Sequence, residues 1–252
     1  MSIRGVMVDG CWITDPDRVK REFLFHFSDR FSKPSPFRAS LASDFPNRLT
    51  DLQQSELEVM VTREEVRQAV WDCGSDKAPG PDGFTFEFFR KFWYLVEDDV
   101  TAAIMEFFSS SVFPRVVTPL LSLLSPSKEQ SAFVKGRQIL DGPMILNEVL
   151  AWVKASRKKA MVFKVDFEKA YDTLRWDFLD DILVAFGFGP KWRSWIRGCL
   201  LSSMGSVLVN GYATPEFKYY RGLRQGDPLS PFLFILAMES LHIAFSNAMS
   251  HC

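Results

Sequence analysis

The sequence predicts an α+β fold in which a small antiparallel sheet is backed by helices. Helical periodicity runs through most of the chain. A Val/Phe-rich stretch, AMVFKVDF at 160–167, reads as a mostly buried strand. Asn210-Gly211, set between apolar runs, reads as the two-residue turn of a hairpin. The order is helices first, then strand, helix, helix, hairpin and helix.

The first hundred residues read as helices joined by loops. Asp15-Pro16 supplies an N-cap followed by proline at the first helical position. Phe23, Phe27 and Phe31 recur every four residues and so line one face, and Lys33–Pro36 ends that helix. A polar linker is expected from there to Thr62. Thr62 and Glu65 form a capping box, with Val66, Ala69, Val70 and Cys73 as the buried stripe and Gly74 as the stop. KAPGPDGF at 77–84 is too rich in Pro and Gly to be anything but a loop. A short aromatic helix is expected over Thr85–Trp93, and Glu97, Asp98 and Asp99 suit the N-terminus of another. No element is assigned over Pro114–Lys128, whose leucines keep no sustained period.

In the second half, Asp141–Lys159 reads as a helix starting near Pro143, with Leu146, Val149, Leu150 and Val153 apolar. After the 160–167 strand, Leu174, Phe178, Ile182 and Phe186 mark a helix stopped at Gly187. Pro190 starts the next, buried through Trp192, Trp195, Ile196 and Cys199. Beyond the hairpin, RGLRQGDPLSP (221–231) is a second Gly/Pro loop, from which Ser230-Pro231 launches a largely apolar helix.

With 252 residues, 47% of them hydrophobic, the chain can bury one large core or two small ones. The formal net charge of −1 points to no polyanionic partner. The halves differ, however. Residues 1–100 hold 13 basic and 18 acidic side chains and residues 101–252 hold 17 and 13, so a polyanion is drawn mainly to the second half. Cys11, Cys73, Cys199 and Cys252 lack metal-ligand spacing, and with three histidines a zinc site or disulfide framework is not expected. No basic-then-apolar leader and no apolar run long enough for a bilayer is recognised, so the chain reads as cytosolic or nuclear rather than secreted or membrane-spanning.

Three stretches could carry chemistry. Asp166 ends the Val/Phe strand, where a rigid carboxylate can hold a divalent cation alongside phosphate oxygens, although surface aspartates are common at strand ends. In RGLRQGDPLSP, Gly222 and Gly226 allow close backbone approach, Arg221 and Arg224 supply positive charge, and Gln225 can donate to a base or phosphate. KAPGPDGF, taken alone, is a connector.

Together and in this order, KAPGPDGF, QSAFVKGRQILD (130–141), FKVDFEKAYDTLRWDFL (163–179) and RGLRQGDPLSPFLFILAMESL (221–241) resemble the reverse transcriptase of non-LTR, LINE-type retrotransposons, most nearly those of plants. The resemblance covers about Asp9 to Ser240. It implies a right-hand polymerase: a helical N-terminal region and linker over 1–62, partial fingers over 63–137, and partial palm over 138–252. It implies Asp166 as the catalytic aspartate, binding Mg²⁺ with the Phe167 backbone carbonyl. Tyr171 matches the aromatic gate that excludes a 2′-hydroxyl by clash. Arg224, Gln225 and Gly226 match the nucleotide and template loop, and Lys77, Gly80, Asp82 and Gly83 match the fingers block near the template. The implied partners are an RNA template, a DNA primer and deoxynucleotides, with no membrane.

The sequence departs from the family in two places. The palm's Ala-Asp-Asp hairpin does not follow the helix that starts at Pro231, and Asp98-Asp99 and Asp180-Asp181 stand in the wrong places to replace it. From Phe113 the chain passes to Ser131 without the family's longer fingers segment, as a deletion or splicing change would leave it. The expectation is a polymerase by family that is inactive as this chain alone. The alternatives are a non-catalytic nucleic-acid-binding remnant or a non-functional pseudogene product.

Overall fold

The computed structural model describes residues 3–38, 40–41, 45–73, 84–112, 141–159, 167–225, 227 and 229–250. Its first element is a hairpin, β1 (Val6–Val8) paired antiparallel with β2 (Cys11–Ile13). The turn is Asp9-Gly10, both at positive φ (47° and 79°), the conformation that matches the twist of the flanking strands. This corrects the all-helical expectation for the N-terminal region. Asp-Gly between apolar triplets was a readable hairpin signal.

α1 (Pro16–Arg30) begins as expected, with the Asp15 carboxylate accepting from Arg18 N–H at 2.8 Å. The stretch expected as linker contains α2 (Asp51–Leu57), opened by a Thr50/Gln53 capping box. Leu49 N–H donates to Phe186 O at 2.8 Å, and Phe45 packs edge-on against Phe186. The Glu58 carboxylate then accepts from Lys191 and Trp192 N–H, capping a helix 133 and 134 residues away.

α3 (Arg63–Asp72) has the predicted capping box and buries Val66 and Val70. α4 (Phe86–Lys91) and α5 (Trp93–Ser110) follow. Glu97, Asp98 and Asp99 lie inside α5 rather than at its start, because Phe92 breaks the backbone five residues earlier than the acidic pattern suggested. α6 (Asp141–Ala155) matches the expected helix, although Ile145, Val149 and Trp152 on it are exposed. The expected 160–167 strand, apart from Phe167, and Gly74 lie outside the described residues.

α7 (Ala170–Thr173), α8 (Trp176–Ala185) and α9 (Pro190–Leu201) lead to a ribbon. β3 (Met204–Gly205) pairs with β6 (Phe217–Lys218), and β4 (Leu208–Val209) with β5 (Tyr212–Ala213), all antiparallel. Asn210 and Gly211 sit at φ 52° and 87°, which is the predicted turn. Asn210 also exchanges two hydrogen bonds with the Ile3 backbone, and Val209 joins Ile13 and Val19 in a small core that ties the two hairpins together.

α10 (Ser230–Ser250) supplies Leu233, Leu236 and Ile243 to the main core, where they meet Leu179, Ile182 and Leu183 of α8 and Trp192, Trp195 and Ile196 of α9. By length and composition, Ser230–Met249 is apolar enough to cross a membrane, with a mean hydropathy of 1.5, contrary to the expectation that no run would be. A helix packed on one side by a protein core passes the same test.

Candidate active site

The candidate site forms where the backbone that follows Asp166 meets the RGLRQG loop. Asp166 itself lies outside the described residues, as do Lys77, Gly80, Asp82, Gly83 and Gly226. Phe167, Tyr171, Arg224 and Gln225 are described, and three of these are brought together.

From the exposed Phe167, the chain turns through Lys169, whose φ of 52° is rare for a residue with a side chain. The Lys169 carbonyl anchors the next turn by accepting from both Thr173 N–H (3.1 Å) and Thr173 Oγ1 (3.2 Å). This turn presents Tyr171. Its ring stacks on Phe234 of α10 with centroids 4.8 Å apart and planes 25° from parallel, so the phenol has a fixed floor. Burial there pushes the Tyr171 hydroxyl pKa above its ordinary value.

The loop docks on this segment through its backbone. Leu223 N–H donates to Tyr171 O and Gly222 N–H to Leu174 O, both at 2.7 Å. Trp176 Nε1–H donates to Gly222 O at 2.8 Å. Gly222 has φ +86°, and a Cβ there would sit 2.7 Å from the Asp172 carbonyl oxygen. Its close approach is therefore to the protein's own chain, not to a ligand. Leu223 turns into the core, which leaves Arg224 and Gln225 exposed at the rim; Arg224 Nη2 donates to Met204 O at 2.9 Å.

The carboxylates near this junction are engaged. Asp172 pairs with Arg30 at 3.4 Å, and Asp227 accepts from Leu229 N–H at 2.8 Å. Asp180, excluded above as a metal ligand, takes a two-pronged bond from Arg193 (2.9 and 3.0 Å) and a third from Arg197. Burial would raise its pKa, but the Arg193 hydrogen bonds and the charges of both arginines outweigh burial and hold it below the usual carboxylate range. Asp181 pairs with Arg38, and Asp98 with Arg63 at 2.7 Å. Among the described residues no three His, Cys, Asp or Glu side chains converge as a metal cluster.

An open groove of about 720 Å³ runs beside the loop between α1 and the ribbon, with Arg30, Tyr219, Arg224 and Gln225 on its walls. Its floor holds a stack in which Phe31 and Tyr219 lie 4.2 Å apart and 16° from parallel.

A family described as reverse transcriptase (RNA-dependent DNA polymerase) matches residues 113–252, more than half of the chain and the part that carries Tyr171 and the RGLRQG loop. The chain belongs to the reverse transcriptase family. It is 27% identical over 92% of its length to the transposon TX1 uncharacterized 149 kDa protein of Xenopus laevis, covering 21% of that relative. It is 29% identical over 50% of its length to the Pol polyprotein of the type-2 element R2DM of Drosophila melanogaster, covering 12% of it. It is 31% identical over 42% of its length to that of the type-1 element R2 of Popillia japonica, covering 16% of it. The chain thus spans about a fifth or less of the curated relatives it matches. These similarities support a reverse transcriptase of the non-LTR type.

Sequence reasoning missed several residues that shape this junction. Phe234, the floor beneath Tyr171, was one of many apolar residues in its helix. Arg30 and Asp172 had no assigned role, and their pairing across 142 residues left no local signal.

Proposed function

We propose that the chain is part of the fingers and palm of a LINE-type reverse transcriptase, with its nucleotide site at the junction of Phe167–Thr173 and Arg221–Gln225. The observation that carries this is the backbone pairing of Leu223 with Tyr171 and of Gly222 with Leu174, which sets Tyr171 and Gln225 on one edge of the core. Asp166 and the Phe167 carbonyl would hold Mg²⁺, whose chemistry there is to neutralise charge on the reacting phosphates. Tyr171, held flat on Phe234, is suited to stand beneath a deoxyribose and reject a ribose by clash. Arg224 and Gln225, at the exposed rim, are suited to contact nucleotide phosphate and template base. The fingers block at 77–83 belongs to the same reading.

The reaction would be attack of a primer 3′-hydroxyl on a nucleotide α-phosphate, with positioning and charge stabilisation as the protein's contribution. A second acidic motif of Ala-Asp-Asp type is absent from these 252 residues. A polypeptide of these residues alone is therefore expected not to extend a primer. The second reading, nucleic-acid binding without catalysis, is favoured by the groove, which joins arginines to aromatic faces as single-strand binding sites do.

Primer extension on an RNA template, with Mg²⁺ and deoxynucleotides, tests both readings. The expected result is no product from the parent or from Asp166→Asn, together with salt-sensitive binding of RNA. Extension by the parent that disappears in Asp166→Asn would overturn the inactivity. Absence of both extension and binding would leave only the family membership.

A further inference from the structure

Arg221 lies in the loop motif, but its guanidinium turns away from the exposed rim. Nε donates to Arg30 O at 2.6 Å and Nη2 to Asp29 O at 3.4 Å. These are carbonyls of the last turn of α1, where a cation complements the helix dipole; Asp29 O also accepts from Ser32 N–H at 3.0 Å. The next residue back extends the seam, with Tyr220 N–H donating to Phe31 O at 2.9 Å. Arg30 in turn reaches Asp172, the neighbour of Tyr171, and a Phe31 ring carbon lies 3.0 Å from where a Gly222 Cβ would stand. The end of α1 thus touches both halves of the candidate site at once.

We infer that Arg221 is a positioning residue. It clamps the end of α1 and thereby sets Gly222, Leu223, Arg224 and Gln225 against Tyr171, so that α1, which lies upstream of the motifs, is a working part of the nucleotide site. This rests on the nucleotide-site reading above. Two charge-assisted bonds to fixed carbonyls hold the loop from behind, while Leu223 N–H and Gly222 N–H hold it from the Tyr171 side. Arg224 and Gln225 are left free of that task and face outward. The role is distinct from supplying charge to a phosphate, which is how Arg221 reads in the sequence.

The test uses the 252-residue chain with ¹⁵N-labelled tryptophan indoles. Trp176 Nε1–H bonds to Gly222 O and so reads the loop, whereas Trp195 Nε1–H bonds to Phe108 O and Trp192 stacks on Phe188, so both read the core. In Arg221→Ala the Trp176 resonance is expected to move while those of Trp192 and Trp195 hold. Affinity for a fluorescent deoxynucleotide with Mg²⁺ is expected to fall roughly tenfold, as for loss of a charge-assisted hydrogen bond. Arg221→Lys keeps the cation under the carbonyls without the two-pronged geometry, and is expected to recover part of both signals. An unmoved Trp176 resonance in Arg221→Ala overturns the inference. If Arg221→Ala does not fold, Arg221→Lys decides: Trp176 moving together with Trp192 and Trp195 there means a merely structural role, and also overturns it. If the parent binds no nucleotide, or Tyr171→Ala and Arg224→Ala bind as the parent does, the nucleotide-site reading fails, and the Trp176 resonance still decides whether Arg221 places the loop.

Discussion

The α8–α10 region and the α3–α5 region are both helical and rich in aromatics, yet they bury them differently. Among the described residues, the cluster built around α8, α9 and α10 holds sixteen buried hydrophobic residues, with Ile182 at 0% and Leu233 at 1% exposure. The cluster of α3–α5 holds three, Val66, Val70 and Trp93, while Tyr94 and Leu95 remain exposed. The candidate site stands on the first region. Tyr171 rests on Phe234, and Leu223 of the loop is itself a core residue. α5 joins the two, with Trp93 in the smaller cluster and Phe107 in the larger. Its end abuts α9 so closely that a Cβ on Gly198 would meet the Ser111 carbonyl oxygen at 2.1 Å. The exposed rim of the loop is steadied by dense packing beneath it, whereas aromatic content alone produces no core.

The contrast breaks most directly at its deepest residues. Leu233→Ala is expected to cost about 3 kcal/mol, from lost transfer and an unfilled cavity, and Val70→Ala about half of that, since two methyl groups are removed from a thinner cluster. Urea denaturation of both variants measures the difference. Equal losses would mean the two clusters are one cooperative core.

An effect smaller than that of Leu233→Ala is expected from Gly222→Ala, about 2 kcal/mol, because the positive φ and the Asp172 carbonyl both oppose a side chain. The damage should concentrate in the loop. Amide exchange should speed up at Leu223, while Ile182 and Leu183 stay protected until global unfolding. Uniform acceleration would show that the loop is not separable from the core it stands on.

The smallest effect is on reactivity rather than stability. Cys199, within the dense region, has its thiol pushed up to about 12 by burial, with the Asp227 charge adding to the rise. At pH 8 it therefore carries almost no thiolate, which is the reactive form. Cys11 on the N-terminal hairpin is exposed. Iodoacetamide at pH 8 followed by peptide mapping should modify Cys11 well before Cys199, and denaturant should erase the difference. Early modification of Cys199 would mean that α9 opens readily despite its dense packing.

Features governed by a few adjacent residues were legible. Asp15-Pro16, the Thr62/Glu65 box and Asn210-Gly211 each acted as read, because caps and two-residue turns are closed by bonds within three or four residues. α2 and the β1–β2 hairpin carry signals of the same kind, in Thr50/Gln53 and Asp9-Gly10, but the polar surroundings of the one and the short strands of the other weaken them. The start of α5 was misplaced because acidic residues favour a helix N-terminus without requiring one.

The site divides along the same line. By itself the sequence determined the family and the motif order, and it singled out Asp166, Tyr171, Arg224 and Gln225 as candidates, since these are matters of residue type and local spacing. Only the tertiary structure decided that Arg221 serves the end of α1, that Asp172 answers Arg30, that Asp180 is neutralised by Arg193 and Arg197, and that Glu58 caps α9. The physical reason is that a charged side chain must find a partner wherever folding places one. Some of these partners lie more than a hundred residues away, where no local pattern records them.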